Sequence, residues 1–233
     1  MKRAKKAKPR SARYTELKKK IDPNKNYPIA EAIKMVKETS NTKFDASIDV
    51  AIRTGIDPKK SDQQIRSITV LPHGTGKKLK VAVVAPAEKQ KEAKEAGADI
   101  VGGEEIIDQI AKTQKINFDV IITVPEMMKN MAKVAKILGP RGLMPNPKTE
   151  TVTPNVKKAV EELRRGKVTF KTDDTGNIHL LIGKASFDEK KLIENFEAFM
   201  EVLKRIKPAS LKGIFIQGIT VSSSMGPGVK VQI

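Results

Sequence analysis

The sequence predicts an α/β protein of two domains, one inserted into the other. Three observations carry that reading. Two continuous apolar runs, residues 81–85 and 120–124, alternate with helical segments in the middle of the chain; parallel strands covered on both faces have this pattern. Both chain ends carry alternating strand-like runs and helices, and neither end holds enough of them to cover its own sheet. Glycines near positions 74 and 166 separate these regimes. The expected organisation is a discontinuous, two-layer α+β domain from residues 1–73 and 166–233, and an inserted three-layer α/β domain from residues 74–165. Gly74, Gly76 and Gly166 are the expected hinge positions, because glycine adopts positive φ without strain.

Each element follows from a local signal. Residues 1–13 read as a basic, disordered arm, followed by a short helix over 14–20. Pro28 suits the first turn of a helix over 29–39, with Ile29, Ile33 and Val36 as its apolar stripe. Residues 48–54 and 65–71 alternate apolar and polar, as half-buried strands do, on either side of a polar turn at 57–62. In the middle, helices are expected over 88–96, 103–115 and 125–138. A breaker-rich loop, 139–147, precedes a further helix opened by Pro154 and ended by Gly166. Residues 168–171 and 178–182 flank TDDTGN, a hairpin-turn signal. A long amphipathic helix is expected over 187–206, with Ser186 and Glu189 as a capping box. A last strand, 214–221, runs into Ser222-Ser223-Ser224-Met225-Gly226-Pro227-Gly228.

Charge narrows the partner. The formal net charge is +18. Ten Lys/Arg stand against Glu16 in residues 1–20, and milder excesses cover the rest. A polyanion is the expected partner, nucleic acid first. An anionic membrane fits less well, because the basic arm has no bulky apolar face. No apolar run approaches the ~20 residues of a membrane span. The chain has no Cys, so no disulfide or thiolate site is available.

Enzyme signatures fail in detail. His73-Gly74-Thr75-Gly76-Lys77 evokes a phosphate loop, but Leu71 and Lys78 stand where glycine and a hydroxyl residue are required. Gly97, Gly102 and Gly103 do not make the dinucleotide fingerprint. His73 and His179 are the only histidines, so no metal or cofactor is expected. Phe44, beside Lys43, fits either a base-stacking aromatic or a core residue at a helix–strand join. Arg53, Lys167, Lys171 and Lys184 lie on strand runs and could line a basic face or a merely solvated one. In the 222–228 loop, hydroxyls offer hydrogen bonds to phosphate and 2′-OH, Met225 an adaptable apolar contact, and Gly226 close backbone approach; by pattern alone an ordinary strand-exit loop is the favoured reading.

Several blocks together resemble one family. These are Lys43-Phe44-Asp45, GIDPKKSDQQIR from Gly55, LPHGTGK from Leu71, ADIVGG from Ala98, LGPRGLMPNPK from Leu138, IGKASF from Ile182 and SMGPG from Ser224. Spread over nearly the whole chain, they resemble the bacterial large-subunit ribosomal protein one family, the ribosomal stalk protein. Glu150 departs from the family's usual Gly, and nothing is carried onto residues 1–13.

The resemblance implies a non-catalytic RNA-binding domain built from both chain ends, and a Rossmann-like insert without nucleotide. The implied partners are large-subunit rRNA at the mobile stalk, exit-site tRNA and the ribosome. A site resembling the rRNA one on the chain's own mRNA is also implied, with translational repression. So are a cytoplasmic, ribosome-bound location, no membrane, and a monomer when free. By position it implies RNA contacts from Lys43, Phe44, Ser222, Ser224, Met225 and Gly226, and more weakly from Lys171, Thr172 and Lys184. Two other classes stay open: an enzyme using the α/β insert, and an architectural DNA-binding protein.

Overall fold

The computed structural model describes residues 11–60 and 62–232; the first ten residues of the expected basic arm lie outside them. The chain starts with α1 (Ala12–Lys19), α2 (Ile29–Glu38), β1 (Ser47–Thr54) and β2 (Arg66–Val70). β3 (Val81–Val84), α3 (Ala87–Glu95), β4 (Ile100–Gly102), α4 (Glu104–Thr113) and β5 (Val120–Thr123) follow. Residues 125–138 form a broken helical stretch whose α-helical turns are α5 (Met128–Met131) and α6 (Ala135–Leu138). Then come α7 (Val156–Arg164), β6 (Lys167–Lys171), β7 (Asn177–Lys184), α8 (Glu189–Arg205), β8 (Ile216–Ser223) and β9 (Val229–Val231). The fold is a mixed α/β one, in two compact units: Met1–Gln64 with Thr172–Ile233, and Ile65–Lys171.

The first unit is a four-stranded antiparallel sheet, ordered β7-β1-β8-β9. Alternation in β1 buries Ile48, Val50 and Ile52 on one face, matched by Ile178 and Leu180 on β7 and by Ile219 and Val221 on β8. Helices α2 and α8 cover that face with Ile33, Val36, Leu192, Phe199 and Leu203. The β1–β7 register slips by one residue between Ile48 and Asp49, leaving Ile182 as the extra residue. Such a bulge would cost an unpaired carbonyl. Here Asn195, buried within α8, donates its side-chain amide to the Ile182 carbonyl at 2.8 Å.

The second unit has a parallel sheet ordered β4-β3-β5. All four residues of β3 are buried, because both faces are covered. Val81 and Val83 pack with Ala93, Val156, Val160 and Leu163. Ala82 and Val84 pack with Ile107, Ile110, Met131, Val134 and Leu138. Apolar side chains thus pack against both faces of the parallel sheet.

Several local expectations are corrected. Among the described residues, strands β2 and β6 pair only with each other, Arg66 opposite Lys171 and Val70 opposite Lys167. The chain therefore passes between units at 64/65 and 171/172, not at 73/74 and 165/166. Gly74, Gly76 and Gly166 lie inside the second unit, at φ +64°, +71° and +106°. A Cβ on Gly166 would sit 2.6 Å from Gly74 Cα. The TDDTGN turn forms, but its flanks join by a single bridge, Thr172 with Ile178, rather than a hairpin ladder. Helix α1 starts at Ala12, so Arg13 is helical rather than part of a disordered arm. Ser186 is not the N-cap of α8; Asp188 is, and Ser186 bonds Asp45 instead.

Candidate nucleic-acid interface

Antiparallel pairing decides which loops meet. Ser47 opens β1; its partner on β7 is Lys184, and Ile48 faces Ser223 on β8. The segment entering β1, the exit from β7 and the exit from β8 thus emerge at one end of the sheet. Lys43, Phe44, Lys184, Ser222, Ser224, Met225 and Gly226 all belong to these three segments.

Hydrogen bonds hold the segments in place. Ser224 N–H donates to the Ser47 carbonyl at 3.0 Å, and Ser47 N–H donates to Ser224 Oγ at 3.1 Å. The Asp45 carboxylate accepts from Ser186 N–H at 3.1 Å and Ser186 Oγ at 2.9 Å. Lys184 Nζ donates to the Asp45 carbonyl at 3.2 Å, and Ala185 N–H to the Ala46 carbonyl at 2.8 Å. With Asp45 tied and Ala46 buried, Phe44 is turned outward and is 53% exposed. The core alternative for Phe44 is thereby removed. Met225 is equally 53% exposed. Val70 and Ile214 are also exposed; what sets Phe44 and Met225 apart is that the segments bearing them are hydrogen-bonded together through Ser47 and Ser224. Gly226 N–H closes the loop onto the Ser223 carbonyl at 3.0 Å, and any Cβ on Gly226 would collide with Ser223 Oγ. A larger residue here would force the Ser223 hydroxyl to turn away.

The hydroxyl run divides by strand parity. Ser222 lies on the solvent face beside Asp49, Ser223 is buried, and Ser224 is exposed but committed to Ser47. The other expected residues are elsewhere. Thr172 is bridged to Ile178 near the start of β7, and the six residues from there to Lys184 span about 20 Å. Lys171 belongs to the β2–β6 ribbon of the second unit, opposite Arg66. Arg53 lines a shallow groove on the sheet's outer face with His179 and Lys230. Lys167 is not a surface cation: it is 4% exposed and bonded to Glu150 and Glu162. Burial acts to lower its pKa, but the two carboxylates outweigh this and raise it.

One residue escaped the sequence reading. Arg13, on α1, donates to Asn41 Oδ1 at 2.9 Å and to the Met225 carbonyl at 3.0 Å. Its spacing to the apolar Leu17, one helical turn on, was the available signal. Among the described residues no His/Asp/Glu cluster could hold a metal ion, and no helix is long and apolar enough to cross a membrane.

The comparisons settle the family. The family model described as "Ribosomal protein L1p/L10e family" matches residues 36–227. The chain belongs to the ribosomal protein L1p/L10e family. That is a family of structural, RNA-binding ribosomal proteins rather than of enzymes. The "Large ribosomal subunit protein uL1" of Mycoplasma capricolum subsp. capricolum is 50% identical over 222 residues, 95% of this chain and 98% of that protein. Those of Thermosipho africanus and Mesoplasma florum are 51% and 52% identical, over 95% and 96% of this chain and 95% and 98% of theirs. The family match takes in the segments bearing Phe44 and Met225, and stops short of Arg13.

Proposed function

We propose that the chain is a constituent of the large ribosomal subunit and binds large-subunit rRNA at the mobile stalk through the loop end of its antiparallel sheet. The observation that carries this is the presentation of Phe44 and Met225, each half exposed, on two segments locked to the same strand end. Lys43 and Lys184 flank Phe44 in sequence and across the sheet. The cations neutralise phosphate, giving affinity that falls with salt. Phe44 stacks on a splayed base, while backbone groups and Ser222 read shape and 2′-OH groups.

The same surface, on this reading, binds an rRNA-like site on the chain's own mRNA and represses its translation. The second unit adds contacts to RNA and to exit-site tRNA, assisting release of deacylated tRNA. Lys171 and Thr172 supply contacts away from the main cluster. The free protein is a monomer, and the working location is the cytoplasmic ribosome. Names of relatives support this reading, since 50–52% identical proteins carry a large-subunit designation.

Met225→Asp tests it. A carboxylate in place of the thioether removes the apolar contact and adds repulsion from phosphate, so binding to an rRNA stalk transcript should fall at least tenfold by filter binding. Unchanged affinity in a folded Met225→Asp protein would remove this loop from the interface. Comparable affinity for random duplex DNA would favour the architectural alternative.

A further inference from the structure

The two loops that present Phe44 and Met225 are joined at the strand end by Ser47 and Ser224. Beyond that end one side chain spans them. Arg13 donates from one terminal nitrogen to Asn41 Oδ1 at 2.9 Å and from the other to the Met225 carbonyl at 3.0 Å. Its acceptors lie 28 and 212 residues away in sequence. Asn41 precedes Lys43 by two residues, and the second acceptor belongs to Met225 itself.

Helix α1 delivers this guanidinium. Ser11 caps the helix, accepting from Tyr14 N–H at 3.4 Å. Leu17, one turn after Arg13 on the same face, is 5% exposed and anchors that face against the unit. Arg13 is in turn half-buried. A planar guanidinium offers donors in a fixed fork and so can set the spacing of two acceptors; a lysine ammonium carries the charge without the fork. Using the backbone carbonyl of Met225 leaves its thioether free for a ligand.

We propose that Arg13 is a positioning residue for RNA recognition: it holds the 41–45 segment and the 224–228 loop at fixed separation before RNA arrives. The inference rests on the reading that Phe44 and Met225 contact RNA. Fixing the two loops in advance removes ordering cost from the binding step, so its loss appears mainly as faster dissociation.

The test uses full-length Arg13→Lys, Arg13→Gln, Asn41→Ala and the Arg13→Lys/Asn41→Ala double variant. Each is measured with a large-subunit rRNA stalk transcript over a range of salt. Urea unfolding verifies that each is folded; Asn41→Ala removes the same bridge from an exposed residue should the Arg13 variants fold poorly. Arg13→Lys should lose about five- to tenfold in affinity despite keeping its charge, with an unchanged salt slope. The double variant should bind no worse than Arg13→Lys alone, because both remove one bridge. Wild-type binding by Arg13→Lys, or additive losses in the double variant, would overturn the proposal. Phe44→Ala and Met225→Asp run in parallel separate the two readings. If they bind normally, the interface itself is wrong. If they bind weakly while Arg13→Lys does not, only the positioning role falls.

Discussion

Phe44 shows how one exposure value decides between two readings of a residue. A buried Phe truncated to Ala costs about 3–5 kcal/mol. Phe44 is 53% exposed, whereas Phe199 on α8 is fully buried. Phe44→Ala should therefore shift the urea-unfolding free energy by less than about 1 kcal/mol, and Phe199→Ala by about 3–5 kcal/mol. Equal losses would return Phe44 to the core and take it out of the RNA surface. Gly166 is the opposite kind of position. Its φ of +106° and the 2.6 Å approach of a Cβ to Gly74 Cα leave no rotamer by which alanine could escape. Gly166→Ala should destabilise the second unit by more than about 2 kcal/mol, visible as a lowered urea midpoint. Glu150 holds the left-handed conformation that glycine would favour, at φ +51°. Its carboxylate reaches the buried Lys167, an interaction no glycine could make, and this offsets the backbone strain.

At the scale of elements, the TDDTGN turn gives a pH-dependent prediction. Slight burial acts to raise the Asp173 carboxyl, but the N–H groups of Asn177 and Thr175 and the Thr175 hydroxyl hold it down to about 2. The folded value lies below the ordinary 3.8. The turn's contribution is thus complete above about pH 4 and is lost as pH falls through about 2. Unfolding free energy measured across that window should fall for the native chain and fall less for Asp173→Asn; parallel curves would refute the assignment. The turn was legible in the sequence because Asp, Thr and Gly act locally. So were α4, α7 and α8, whose periodicity runs over many residues, and β3 and β5, whose unbroken apolar runs mark strands covered on both faces. The three-residue strands β4 and β9 were not, since no period can be read from three positions. The partner of β2 was not legible either. Alternation in residues 65–71 gives a strand but not its neighbour, and the pairing with β6 is set some hundred residues away. Of the interface, Phe44 and Met225 could be named from the blocks around them, but their exposure could not. Arg13 was missed because its acceptors are a side chain 28 residues off and a backbone carbonyl 212 residues off, and sequence pattern records neither.

Charge and topology set the behaviour of the whole molecule. Residues 1–10 hold six Lys/Arg and no acid; deleting them should reduce the salt slope of RNA binding, by about 0.7 for each phosphate they neutralise, and leave the preference for the stalk transcript over random RNA intact. Topology makes a stronger demand. The second unit begins at Ile65 and ends at Lys171, and Arg66 and Lys171 are register partners on adjacent strands. Antiparallel partners have Cα atoms only about 4.5–5.5 Å apart, so the unit's two ends are already side by side. Replacing residues 65–171 with a few glycines would close a short loop between Gln64 and Thr172, at an entropic cost that grows only logarithmically with length. The sheet β7-β1-β8-β9 with α2 and α8 belongs to the first unit and would keep the core that its own strands and helices build. Such a chain should unfold cooperatively in urea and keep most of its affinity for the stalk transcript, since Phe44, Met225 and Arg13 all remain. A product that does not fold would show that the chain ends are not an independent domain. A folded product without RNA affinity would move the principal site into Ile65–Lys171, and with it the roles assigned to Phe44 and Met225.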